Sequence, residues 1–172
     1  KTDYGNFNIA SYNTDSYGGS INFQLPISEI EQLGLSLQID NTKLKSNVFS
    51  SRQLLDFYDS EGFDFNTYSG QVSWSRVTLN RGLFPTNGAR NTISLSLTLP
   101  GSNINYGRFN HDFKIFRPLP LGLIFAYKSR IGLLFTYGDT ETAPPYQHFY
   151  AGGMRSVRGF KQNYLGPKAV YN

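Results

Sequence analysis

Few residues in this chain are placed to do covalent chemistry. Its two histidines, His111 and His148, are far apart in sequence and stand without a cysteine or a regular carboxylate spacing, so the sequence offers no metal site. Asp59 with Glu61 and Asp139 with Glu141 are carboxylate pairs in loop-like stretches, and solvated loop faces account for both. Neither a Gly-x-Ser-x-Gly elbow nor a phosphate-cradling glycine loop occurs. The expectation is a protein that is not an enzyme and takes no cofactor. What remains is one cation in a shaped setting, the run Phe149-Tyr150-Ala151-Gly152-Gly153-Met154-Arg155-Ser156-Val157-Arg158-Gly159-Phe160, followed by Leu165-Gly166-Pro167. Glycine permits tight backbone, and apolar side chains flank the cation, so the run reads as a loop that holds one arginine in a fixed place. Val157, Arg158, Gly159 and Phe160 form its motif, with Gly152, Gly153 and Gly166 in support.

The composition shows what kind of element must carry that loop. Aromatic residues make up 16% of the 172 residues and charged residues only 16%, against roughly 25% charged in soluble domains. No apolar run reaches the length of about 18 residues that a transmembrane helix needs. A mean hydropathy of −0.37 is still compatible with a membrane, because barrel strands alternate lipid-facing and lumen-facing residues. The net charge of +4 is modest and its cations are scattered, which predicts no nucleic-acid partner. With no cysteine, no disulfide framework is possible. The chain opens on Lys1-Thr2-Asp3 without an export signal, as a mature chain or an internal piece would.

Period-two alternation dominates, which predicts an all-β, antiparallel up-and-down transmembrane barrel segment. Tyr17, Ile21, Phe23 and Leu25 share one parity, as do Leu33, Leu35, Leu37 and Ile39, then Tyr68, Val72 and Trp74, then Ile93, Leu95, Leu97 and Leu99. Phe109, Phe113 and Ile115 follow, and then Leu123, Phe125, Tyr127, Ile131, Leu133, Phe135 and Tyr137. On the opposite parity stand Arg108, Asp112, Lys114, Lys128 and Arg130, the charges expected of a wet lumen. His111 falls on the apolar parity, where a place near a rim is the available explanation. A partial strand in residues 4–10 brings the expected count to about seven. Short turns at 26–31, 81–90 and 117–121 alternate with connections at 10–16, 45–66, 100–105 and 138–172, two of them long. Short turns on one rim and longer loops on the other are the barrel pattern. No helix is expected, apart from a turn at residues 52–57.

Two stretches carry a resemblance to the BamA family of outer-membrane protein insertases. One is the turn Arg81-Gly82-Leu83-Phe84-Pro85-Thr86-Asn87-Gly88-Ala89-Arg90, in which Arg81, Gly82, Pro85, Gly88 and Arg90 match a periplasmic turn of that family. The other is the loop with Val157-Arg158-Gly159-Phe160. The resemblance implies that residues 1–172 form the middle of one 16-stranded barrel domain, with 45–66 an extracellular loop and 138–172 an extracellular loop folding into the lumen. It further implies that Arg158 pairs with acidic residues of later strands. The implied function is folding and inserting β-barrel proteins into the bacterial outer membrane by lateral opening and strand pairing. The implied partners are outer-membrane lipid and lipopolysaccharide, unfolded outer-membrane clients, and accessory lipoproteins reached through periplasmic domains. A related polypeptide-translocating barrel, of the two-partner secretion or TamA type, is the alternative, with a passive porin and a soluble β-sheet module behind it.

Overall fold

The computed structural model describes residues 2–3, 12–46, 57, 59, 61–154 and 156–167. Seven antiparallel strands form one sheet in chain order: β1 (Thr2–Asp3), β2 (Tyr12–Pro26), β3 (Glu31–Ser46), β4 (Asp64–Val77), β5 (Gly88–Thr98), β6 (Tyr106–Pro118) and β7 (Ile124–Thr136). Strands β2 to β7 run 11 to 16 residues, long enough to cross a bilayer at a tilt. Among the described residues β1 and β7 do not pair with each other, so this sheet is open.

The register turns the local alternation into two continuous faces. Leu25, Leu33, Trp74, Ile93, His111 and Ile131 are cross-strand neighbours in one row, and Phe23, Leu35, Val72, Leu95, Phe109 and Leu133 form the next. Large apolar side chains on this face lie open, Ile21 at 62%, Phe23 at 60% and Leu133 at 57%. A water-soluble sheet would bury such rows against a second layer, so this face is built for hydrocarbon. The other face carries Gln32, Ser75, Thr92, Asp112 and Arg130 in one row, and Arg90, Lys114 and Lys128 side by side in the adjacent one.

At the long-connection end of the polar face the pattern changes. Leu44 and Phe65, on the polar parity, are buried with Phe57 and Ile104, and Tyr106 and Tyr146 pack against them. The Phe57 and Phe65 rings lie 5.5 Å apart at 48°. An apolar cap thus sits on the inner side of the wall. Alternation alone does not foretell it, because the cap draws on two connections as well as on strands.

Several boundaries differ from the expectation. Residues 4–10 lie outside the described residues, and the additional strand is instead β1, paired with Asn13 and Thr14. Strand β2 includes residues 12–16, and the loop expected at 45–66 loses Lys45 and Ser46 to β3 and Asp64 to Asn66 to β4. Phe57, Asp59 and Glu61 have helical backbone, slightly beyond the turn expected at 52–57. The turn expected at 81–90 is shifted: Arg81, Gly82 and Pro85 lie in it, but Gly88 and Arg90 belong to β5. Arg90 is paired with Val77 and Lys114 and so joins the inner-face cations. Asn80 staples this turn, its Oδ1 accepting the Thr86 N–H (3.1 Å) and the Asn87 N–H (3.2 Å). Gly88 has φ 100°, and a Cβ there would stand 2.2 Å from the Thr78 carbonyl oxygen.

His111 does face the apolar side, and the register supplies its partner. Its Nε2 lies 2.8 Å from Asn91 Oδ1 on the neighbouring strand, one diagonal step toward the short-turn rim. An amide oxygen only accepts, so the ring carries its proton on Nε2. Replacing Asn91 with Leu leaves that donor without its acceptor on the hydrocarbon face. In the full-length protein Asn91→Leu is expected to lower unfolding stability by about 1–3 kcal/mol, read as a denaturant midpoint shift, while Asn91→Gln retains most of it.

Candidate functional site

The segment after β7 folds back on the polar face of the sheet. A 3₁₀ turn at Pro145–Gln147 redirects the chain, and Phe149 then settles over Gly132 of β7. The fit requires glycine: a Cβ at residue 132 would stand 2.6 Å from the Phe149 ring. The Arg108 guanidinium on β6 closes the other side, 4.4 Å from the centre of that ring, and its Nη1 donates to Gln147 Oε1 at 3.1 Å. One cation therefore stacks on the aromatic ring and hydrogen-bonds the turn just before it.

Beyond Phe149 the loop makes a narrow hairpin. Ala151 and Leu165 exchange backbone hydrogen bonds at 2.7 and 2.8 Å, and the Gly153 N–H donates to the Phe160 carbonyl at 2.9 Å. Gly152 (φ 117°) is pressed so closely to the returning strand that a Cβ would lie 2.3 Å from the Lys161 carbonyl oxygen. Gly166 gives way to the Tyr150 ring in the same manner. Ser156, which the sequence reading passed over, ties the hairpin internally. Its Oγ accepts the Gly152 N–H at 2.7 Å and donates to the Gly152 carbonyl at 2.8 Å. A serine four residues after a glycine is the available signal, since short hydroxyl side chains bond nearby backbone.

Val157, Arg158, Gly159 and Phe160 occupy the tip of this hairpin. Phe160 stacks on Tyr164 with ring centres 6.2 Å apart. Arg158 is exposed and makes no ion pair among the described residues. Beneath the hairpin lies a cavity of about 550 Å³, walled by Lys128, Arg130 and Gly132 on β7 and by Phe149, Val157 and Leu165 on the loop. Arg130 Nε is 2.9 Å from Asp112 Oδ1, whereas Lys128 stands beside Lys114 and Arg90. Of the six inner charges on β5 to β7, Arg90, Arg108, Asp112, Lys114, Lys128 and Arg130, only Asp112 is negative, so this stretch of wall presents a positive field. Among the described residues no group of three or more His, Asp or Glu stands together. The loop carboxylate Glu61 serves structure, its Oε1 accepting the Glu141 N–H at 3.3 Å.

The profile of the Omp85 superfamily domain matches residues 1–171. The chain belongs to the Omp85 superfamily. It is thus part of an outer-membrane β-barrel, with the apolar face toward lipid and the charged face toward the lumen. Among similar Omp85 proteins, the outer membrane protein assembly factor BamA of Neisseria meningitidis serogroup B is 28% identical over 172 residues, which is 95% of this chain and 22% of that protein. The mouse sorting and assembly machinery component 50 homolog is 28% identical over 91 residues, covering 52% of this chain and 19% of its own length. The crystal structure of BamA from Haemophilus ducreyi lacking POTRA domains 1–3 superposes with a TM-score of 0.89 at 30% identity, covering 98% of this chain and 34% of that one. The chain therefore spans about a fifth of the length of the curated relatives it matches.

The clamp on Phe149 leads to a direct expectation. In the full-length Omp85 barrel, Arg108→Ala should raise protease cleavage within the 138–167 loop several-fold, and Arg108→Lys, which keeps a cation over the ring, should restore part of the protection. His148 adds a pH dependence. Half-burial beside the clamp holds its pKa below the ordinary 6.5, so the docked loop favours the neutral ring. Docking is then fully supported above the ordinary value and weakens as pH falls through it toward the lower docked-state pKa. Protection of loop amides, taken relative to their intrinsic base-catalysed exchange rate at each pH, should fall between about pH 7.5 and about pH 5, and His148→Gln should flatten that response.

Proposed function

We propose that the whole protein of which these residues form a barrel wall is an insertase of the bacterial outer membrane, folding and inserting β-barrel proteins there. The relatives that match it are named as assembly components in a bacterium and in a mouse, and that shared role carries the reading. The physical rationale is strand addition. A client strand entering lipid needs partners for every backbone N–H and C=O, and a barrel that opens laterally at its seam offers an edge that supplies them. Thinning of the bilayer beside the wall would lower the barrier further. No step in this scheme breaks or forms a covalent bond, so the reading is non-enzymatic and needs no cofactor.

In this reading the partners are unfolded outer-membrane clients, the surrounding lipid and lipopolysaccharide, and accessory lipoproteins bound through periplasmic domains outside these residues. Arg158 has the task of bracing. Presented on a hairpin clamped to the inner wall at Phe149, it would pair with acidic residues of later strands and hold the lumen side rigid while the seam opens. Charge pairing inside a narrowed lumen is screened less than at an open surface. Arg158→Ala in the full-length protein, expressed as the sole copy in cells, is expected to lower both the steady-state level of client barrels and the heat-modifiability of the protein itself. Client levels and heat-modifiability equal to wild type would remove the bracing role. Unchanged client levels after depletion of the whole protein would remove the insertase reading.

A further inference from the structure

The positive stretch of inner wall has a shape as well as a sign. Arg90, Lys114 and Lys128 are direct cross-strand neighbours on β5, β6 and β7. Like charges directly opposite one another destabilise a sheet unless an anion offsets them. The wall does not supply one. Across the ladder Arg90 and Lys114 have only Val77 and Lys128 beside them, and the inner row nearer the rim, Gly88, Phe116 and Ala126, is uncharged. Asp112, in the row on the other side, is held 2.9 Å from Arg130. Arg90, Lys114 and Lys128 make no ion pair among the described residues, nor does Glu29 on the β2–β3 turn. Asp40, also on the inner parity, lies eight residues past the row of Gln32 and Ser75, about 26 Å at the usual rise. The folded-back loop does not neutralise the row either, because residues 142–172 contain no Asp or Glu and the hairpin brings Arg158 and Lys161.

Arg90 and Lys114 form one flank of a trough of about 420 Å³ on the lumen side of the sheet. Gln24 and Gln32 form the other flank, and Ser73, Ser75 and Thr92 lie between. Gly34 keeps the floor low, since a Cβ there would stand 2.5 Å from Ser73 Oγ. From β2 to β6 the trough crosses four strand spacings, about 19 Å, the length of about six extended residues.

We propose that this trough is a docking site for an acidic segment of polypeptide standing in the lumen near the short-turn rim. Its carboxylates lie against Arg90 and Lys114, with Lys128 beyond them. Its backbone N–H and C=O groups bond the amides of Gln24 and Gln32 and the hydroxyls of the floor. The occupant follows from the donors and acceptors. Three cations without a counter-charge complement carboxylates. Amides and hydroxyls both donate and accept, which matches a peptide backbone, whereas a phosphate group would leave the acceptors of Gln24 and Gln32 unused. The polarity of this face excludes a lipid tail.

The probe is a short fluorescein-labelled peptide of alternating glutamate and serine, with alternating glutamine and serine as its control, titrated by anisotropy into the full-length protein in nanodiscs. The glutamate peptide is expected to bind about tenfold more tightly, the equivalent of one charge-assisted hydrogen bond. Lys114→Gln should remove most of that advantage. Lys43→Gln, which takes the same charge from the lipid-facing side of β3, should leave it intact. If Lys114→Gln lacks wild-type heat-modifiability, Arg90→Gln is read in its place. Thr92→p-benzoylphenylalanine should crosslink the glutamate peptide on irradiation, and Leu95→p-benzoylphenylalanine, on the lipid face, should not. Equal binding of the two peptides, an advantage that survives loss of the wall cation or falls equally with Lys43→Gln, or no crosslink from position 92 would each overturn the site.

Discussion

A bilayer offers no hydrogen bonds, so a chain that crosses it as strands must pair every backbone N–H and C=O with a neighbouring strand. The long uninterrupted ladders from β2 to β7 follow from that demand. So does the placement of irregular backbone. Positive-φ residues such as Phe84, Gly88, Leu121 and Gly152 all lie in connections, at the first residue of a strand or in the folded-back loop, and none interrupts a ladder. Once pairing fixes the strands, the side chains divide into a face for hydrocarbon and a face for water, and each polar group that falls on the wrong face needs a partner there. His111 with Asn91 and Arg76 with Glu31 (3.5 Å) meet that need on the lipid side, both toward the short-turn rim.

The inner face follows a different economy. Its charges are mostly positive and weakly paired, and an exposed pair such as Arg130 with Asp112 contributes little to stability. Their significance lies in the field they make and in what they hold. Arg108 spends its guanidinium on the loop, so that an inner-wall cation becomes the seat of an aromatic ring. The small residue at position 132 is the complementary feature, an absence of side chain where the ring must sit. Loop position is thereby set at its base, within the described residues, and the motif arginine is left exposed at the tip, free to pair with a group that these residues do not include. Bracing of the proposed insertase would then have two separable parts, a clamp at Phe149 and a charge pair at Arg158.

Sequence alone determined the parity of every long strand, the division into an oily and a wet face, and the alternation of short and long connections. These are local properties, since a period of two is written into neighbouring residues. It also singled out the Val157 to Phe160 motif, whose glycines and arginine are unusual in themselves. Tertiary structure decided everything that depends on register, a relation between residues tens of positions apart that no window along the chain contains. It matched His111 with Asn91 and moved Arg90 from a turn into a row of wall cations. It carried β3 and β4 past the expected ends and gathered Leu44, Phe57, Phe65 and Ile104 into an inner cap. It also laid the loop on the wall, because that contact requires a vacancy at Gly132, a ring at Phe149 and a cation at Arg108 to coincide in space. Their residue types were legible in the chain, but their meeting was not.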